Sequence, residues 1–503
     1  MIMKRYSILV YSFLLVVLAF TACEDLEVEN KNRPKFEETN TPAQVNGSAG
    51  SLFNNWYMTA VEYDGPALSL FMGADAGSCS WGNAGMRDFS SQPRQLFNNS
   101  PSYPYVSAYE PYYKNMYGTL SSANDVLKAI ASSEEPIENV ERAKAVAYFI
   151  QGVTLGTIGT MYDKGFIVTE ETDMTQDIES SPYQDIIAKS LERLDMAIEV
   201  CNNNTFTLPA AWLPMETTWT NVELAQLANT MAARTLVYSS RNAQQDQAND
   251  WARIKNYAQK GITQDFAPVM DDVSWYNLYV MYANWTGWAR IDMRIIHMLD
   301  PEMPAWFPPS GDYTELPNNG QATSEDARLE KDFQYMTAQD FSPERGIYHF
   351  TTYRYKRNDI YLTTWTEPLA YVRKTENDML LAEALVKADN DLAGARAILN
   401  DPNNSRKARG ELPDVTTNDK DELLRIIYEE KTIECLQTGE GIEFYDMRRK
   451  DMLQEGTPLH LPIPGQQLEV MQMEYYSFGG STGEAGVDYS TGGWEKDSNK
   501  PNY

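Results

Sequence analysis

The chain predicts a mainly α fold: a scaffold of tetratricopeptide-like helical hairpins interrupted by long irregular loops. Three observations carry that expectation. Apolar residues recur at helical spacing in successive segments, strands and helices do not alternate as a doubly wound sheet requires, and two long stretches rich in Gly, Pro and aromatics break the pattern.

The first 22 residues read as a bacterial export signal. Lys4 and Arg5 precede an apolar run from Ile8 to Phe20, and the small residues Thr21 and Ala22 close it. The run is shorter than the ~20 apolar residues of a membrane span, so removal is expected rather than retention. Phe20-Thr21-Ala22-Cys23 resembles a lipobox, in which the Cys23 thiol is acylated and becomes the new N-terminus. Phe20 stands where Leu is usual. Residues 24–46, rich in Asn, Pro and Glu, are expected to form a tether. Residues 47–503 then form one domain, with a helical-repeat part over 47–265 and a C-terminal part over 266–503.

Helical faces follow in order. Val146, Phe149, Ile150 and Val153 share one face, and Ile187, Leu191, Leu194 and Ile198 share another. Ser181-Pro182-Tyr183-Gln184 has the composition of a capped helix start, and Thr220 with Glu223 forms a second capping box ahead of Leu224, Leu227, Ala228 and Met231. Asp250 is placed to cap a helix carrying Trp251, Ile254, Ala258 and Ile262. Leu381, Ala384, Leu385 and Ala388 make a stripe. After Asp389-Asn390-Asp391 a second stripe of Leu392, Ala395, Ile398 and Leu399 completes a hairpin. A last long helix is expected from about Asp421 to Leu436, with Leu424, Ile427, Tyr428 and Cys435 on one face.

Residues 64–105 and 268–360 carry no helical period. Long irregular segments in a folded protein are commonly functional loops, and their aromatic content opposes disorder. Residues 271–313 hold 9 aromatics: Trp275, Tyr276, Tyr279, Tyr282, Trp285, Trp288, Trp306, Phe307 and Tyr313. Flat aromatic faces suit the C–H faces of pyranose rings, and polar side chains at the edge meet the hydroxyls. Three platforms of about 50 Å² each, at roughly 25 cal/mol per Å², give about 4 kcal/mol. The competing role of these rings is to pack the loops against the helices. Trp81 is better placed, since Gly82, Asn83 and Gly85 are too small to bury it from their own side. Trp81, Asn83, Trp275, Tyr276, Trp285 and Trp288 are therefore the candidate ligand-binding residues.

Composition excludes other classes. The formal charge of −29 becomes −31 once Lys4 and Arg5 are lost, which repels nucleic acid over the whole surface. With Cys23 acylated, Cys79, Cys201 and Cys435 remain, without CxxC spacing, and read as buried inert thiols. His297, His349 and His460 stand apart with no metal-ligand spacing, and neither GxSxG nor a P-loop occurs. No cofactor, metal or catalytic residue is expected. The Asp271-Asp272 pair reads as a solvated acidic loop rather than a glycosidase pair. Asp292 and Arg294 read as a structural ion pair.

The C-terminal block is the most specific signal. ECLQTGEGIEFYDMRRKDML (residues 434–453) followed by LHLPIPGQQLEVM (residues 459–471) resembles the SusD/RagB family of nutrient-uptake outer-membrane lipoproteins. Glu434, Gly441, Phe444, Asp446, Arg449, Pro462, Ile463 and Pro464 match. Lys431 and Glu443 replace two arginines of the pattern, so its ion pairs must be rearranged. Residues 109–130, with Asn124, and residues 141–164 resemble the family's aromatic helix and first repeat helix. The resemblance implies a non-enzymatic, SusD-like binding protein anchored through Cys23 in the outer membrane and facing the cell exterior. It would capture oligosaccharides on its irregular loops and deliver them to a SusC-type TonB-dependent transporter. Glu24, Asp25, Glu27 and Glu29 resemble the surface-export signal of such lipoproteins. The alternatives are a lid of the same architecture that binds peptides, as in RagB-like members, a lipid-anchored glycoside hydrolase, and a helical-repeat scaffold without a small ligand.

Overall fold

The helix Val140–Met161 owes its neighbours to its glycines. A Cβ at Gly152 would sit 2.6 Å from the Leu194 side chain, and one at Gly159 would sit 2.9 Å from that of Ile187. The helix Tyr183–Asn203 therefore approaches more closely than any larger residue allows. The computed structural model describes residues 41–62, 65–79, 81–91, 94–285, 287–304, 320–337 and 351–480. Cys23, Trp306, Phe307, Tyr313 and His349 lie outside them.

Pro42–Val61 and Glu110–Ser132 pack on Val140–Met161, and Asn221–Tyr238 packs on Tyr183–Asn203. Trp251–Ala258 carries the stack on to Lys374–Asp389, which contacts both Leu392–Leu399 and Lys420–Glu434. The fold is mainly helical, as the periodicity predicts. The strands among the described residues form three two-stranded antiparallel pairs. None of the described helices is long and apolar enough to cross a membrane. Aromatic packing joins early and late segments: Trp56 lies edge-on to Phe149 and Tyr371, at 5.8 and 5.2 Å between ring centroids.

Several local expectations hold. Val146, Phe149, Ile150 and Val153 are buried, as are Ile187, Leu191 and Leu194. The Thr220–Glu223 capping box is complete, and Asp250 accepts from the Arg253 N–H. Cys79, Cys201 and Cys435 are buried and free, and burial raises each thiol above its usual range.

Other expectations are corrected. The tether expected through residue 46 gives way at Pro42 to a helix, because proline suits a first helical position and Val45 is already buried. Ser181 caps nothing: Ser181–Pro182 pairs as a strand with Lys164–Gly165, and the helix starts at Tyr183. In Lys374–Asp389 the buried face carries Met379, Ala382 and Val386 with Glu376 and Glu383, while Leu381 and Leu385 are only half-buried. The apolar stripe misplaces that face because ion-paired carboxylates occupy it.

Those carboxylates explain the C-terminal block. Arg449 pairs with Asp246, Glu383 and Asp446 at 2.6 to 2.7 Å, all with side chains at most 5% exposed. Lys431, standing where the family pattern has arginine, reaches Asp446 at 2.7 Å. Burial would raise Glu383, but Arg449, Lys387, Lys450 and Lys431 together hold its carboxyl well below the usual range. Glu434 pairs with Arg357 and Arg328. Downstream, the Leu461 N–H donates to the Met161 carbonyl at the end of Val140–Met161, and Asn99 brackets Ile463 and Gly465 through its amide. The Pro462-Ile463-Pro464 segment thus ties the first repeat helix to the irregular segment around Asn99.

Candidate functional site

A three-residue strand pair builds the site. Gly77–Cys79 runs antiparallel to Ala289–Ile291, with Cys79 opposite Ala289. Trp81 lies two residues beyond Cys79 and Trp288 one residue before Ala289, at the same end of that ladder, so rings 207 positions apart in sequence meet at 6.3 Å between centroids.

The second edge comes from a short helix. Leu278–Ala283 is capped by the Asn277 side chain, which accepts from the Val280 N–H at 2.9 Å. Beyond it the chain turns, Trp288 N–H donating to the Trp285 carbonyl at 3.0 Å, and Gly287 takes a φ of 85° that favours glycine. Tyr282, Trp285 and Trp288 thereby stack. Their centroids lie 6.0, 5.2 and 5.4 Å apart, and the planes are inclined by only 20 to 31°. With Trp81 they form one aromatic platform, on which Trp285 is 47% exposed and the other three rings are half-buried.

The platform is held from behind. Asn284, the residue before Trp285, is buried and donates from Nδ2 to the Val280 carbonyl at 2.8 Å and to Gln437 Oε1 at 2.6 Å. Gln437 donates back to Asn284 at 3.3 Å, and its backbone N–H donates to Glu443 at 3.0 Å. Burial pushes the Glu443 carboxyl up to about 7. The residue that departs from the family pattern thus supports, through Gln437, the turn carrying the platform.

On the other edge, Trp81 donates its N–H to the Cys79 sulfur and accepts from the Arg87 N–H. Asn83 and Arg87 are half-buried, and their side chains make no hydrogen bond to the described residues. An amide and a guanidinium therefore stand ready for ligand hydroxyls beside the ring.

Of the predicted residues, the structure brings Trp81, Trp285 and Trp288 together, with Asn83 two residues along the loop from Trp81. Trp275 is corrected: it is 7% exposed and packs on Tyr57 at 5.2 Å, in the core. Its burial follows from the turn before it, where Asp271 accepts the N–H groups of Val273, Ser274 and Trp275. Burial acts to raise the Asp271 carboxyl, but the N–H donors together outweigh it and hold it below its ordinary value. Tyr276 is half-buried, and its hydroxyl meets Glu62 at 3.3 Å. Tyr282 was not among the candidates, although its spacing of three from Trp285 and six from Trp288 marks one face of a turn. Asp292 caps the helix Met293–Leu299, while the Arg294 guanidinium donates to the carbonyls of Ala74 and Asp75 and to the Tyr428 hydroxyl. Among the described residues no cluster of His, Cys, Asp and Glu suits a metal ion.

No family model matches the sequence, and no curated protein matches it. Solved structures do. A SusD-like protein from Bacteroides fragilis superposes with a TM-score of 0.57 at 17% identity, over 83% of this chain and 87% of that one. A SusD superfamily protein from Parabacteroides distasonis gives 0.59 at 11% identity, over 86% and 98%. A laminarin-binding SusD-like protein gives 0.53 at 16% identity, over 87% and 98%. The chain has the SusD-like fold.

Proposed function

We propose that this protein is a surface-exposed outer-membrane lipoprotein that binds oligosaccharides and hands them to a SusC-type TonB-dependent transporter. The observation that carries the reading is the stack of Tyr282, Trp285, Trp288 and Trp81, with Asn83 and Arg87 at its edge. A cluster of aromatic faces fits sugar rings through their apolar C–H faces, whereas an extended peptide needs backbone groups in register, as at a sheet edge. The SusD-like fold and the laminarin-binding neighbour favour the same ligand class. A bound glycan is neutral, so the strongly acidic surface neither attracts nor repels it. Acylation of Cys23 would hold the body at the membrane while leaving it free to move over a pore.

Calorimetry of the purified mature chain against laminarin, starch, xylan and galactomannan fragments, and against a peptide library, tests the ligand class. Heat from a glycan is expected. Heat from peptides alone would overturn the reading. For the anchor, Cys23→Ala is expected to leave glycan binding in solution intact while impairing uptake by cells, and normal uptake would remove that part of the proposal.

A further inference from the structure

A cavity that none of the platform rings lines offers a second candidate site. That cavity, of 670 Å³, lies between the segment from Asp88 to Tyr103 and the segment from Thr457 to Ser477, and its size is that of a small-molecule site. Its lining combines apolar and hydroxyl-seeking groups. The Tyr475 ring is 51% exposed and is steadied by its hydroxyl, which donates to Glu469. Leu96, 47% exposed, supplies a further apolar surface. Exposed Gln95 and Asn98 contribute side-chain amides. The walls are fixed. Phe97 N–H donates to the Phe478 carbonyl at 2.9 Å, and the Ser477 hydroxyl donates to the Phe97 carbonyl at 2.5 Å.

Charge narrows the ligand. Arg94, the one cation among the described lining residues, is buried and committed to Asp75 at 2.7 Å, to Thr457 at 3.1 Å, and to the carbonyls of Phe89 and Ser91. It offers nothing to an anion. Asp88 accepts the Tyr103 hydroxyl on one carboxylate oxygen, at 2.5 Å. Its other oxygen remains an acceptor for a donor-rich neutral ligand.

Position links the cavity to the platform. The loop from Trp81 to Asp88 carries a platform ring at its start and a cavity wall at its end. The Tyr105 hydroxyl presses on Gly82, where a Cβ would lie only 1.8 Å away, and the Tyr105 ring packs edge-on to Tyr103 at 5.4 Å. Half-buried Tyr105 therefore bridges the two surfaces.

We propose that the cavity is a second saccharide subsite, which takes a side branch or a distal residue of the glycan whose main chain lies on the platform. The proposal rests on the glycan reading, and the experiment separates the two. The full mature chain is screened by affinity electrophoresis against laminarin, starch, xylan and galactomannan, and the retained polysaccharide is titrated by calorimetry. Three proteins are compared: wild type, the cavity variant Gln95→Ala/Asn98→Ala/Tyr475→Ala, and the platform variant Trp81→Ala/Trp285→Ala/Trp288→Ala. All three cavity substitutions are at exposed positions, and thermal melting together with the single Tyr475→Ala variant guards against a folding artefact.

Because the two subsites act on one chain, the cavity variant is expected to lose about tenfold in polysaccharide affinity. The platform variant should keep a weak residual affinity that disappears when the cavity substitutions are added. Wild-type affinity in the cavity variant would overturn the second subsite and leave the platform reading standing. Failure of the wild type to bind any of the four glycans would overturn both.

Discussion

Replacing Glu443 by glutamine should flatten the pH dependence of stability. The carboxyl is buried, one oxygen accepts the Gln437 N–H at 3.0 Å, and the other has no hydrogen-bond partner. Burial moves it from its ordinary 4.5 to about 7. Between those values the native carboxyl holds a proton that the unfolded chain has released. Its contribution to stability is therefore full below 4.5 and is lost as pH rises through 7. The rise corresponds to about 3 kcal/mol, of which about 2.5 falls between pH 5 and 8. Glu443→Gln keeps the acceptor for Gln437 and has no proton to lose. Its new amide hydrogens lack an acceptor, which costs about 1–3 kcal/mol, but that cost does not vary with pH. The readout is thus the slope and not the absolute stability. Urea unfolding of both proteins from pH 5 to 8 should show the variant gaining about 2.5 kcal/mol on wild type across the range. Parallel profiles would refute the reasoning, since they would mean the carboxyl does not titrate there.

Further outcomes are expected at the site and in the core. Trp285→Ala should weaken glycan binding by about 5- to 30-fold, from about 1–2 kcal/mol of lost ring contact, with little change in melting temperature because the ring is 47% exposed. Gln437→Leu removes the partner of Asn284 and should cost about 1–3 kcal/mol of stability by urea unfolding. It should also weaken the same titration, although Gln437 does not lie on the platform. Glu383→Gln leaves Arg449 and Lys450 short of a buried carboxylate, and urea unfolding should report a loss of about 3–5 kcal/mol.

The helical scaffold was legible because its signal is local. Val146, Phe149, Ile150 and Val153 announce a buried face within eight residues, and Thr220 with Glu223 announces a helix start within four. Ser181 misleads because its partner strand, Lys164–Gly165, lies outside any local window. Leu381 and Leu385 mislead because a face lined by Glu376 and Glu383 looks polar until Arg234 and Arg449 are brought against it. Aromatic density pointed to the site, but it could not separate Trp275, which goes into the core, from Trp285, which faces solvent. That separation depends on the Asp271 turn and on the Cys79–Ala289 pairing, which joins residues 210 positions apart.

The central claim is that Tyr282, Trp285, Trp288 and Trp81 hold a glycan by its ring faces. Saturation-transfer difference NMR tests this most directly, by irradiating the protein's aromatic protons in the presence of the glycan retained in electrophoresis. The account predicts strong transfer to the sugar ring C–H protons, lost or sharply reduced in the Trp81→Ala/Trp285→Ala/Trp288→Ala protein. Transfer of equal strength in that variant would contradict it.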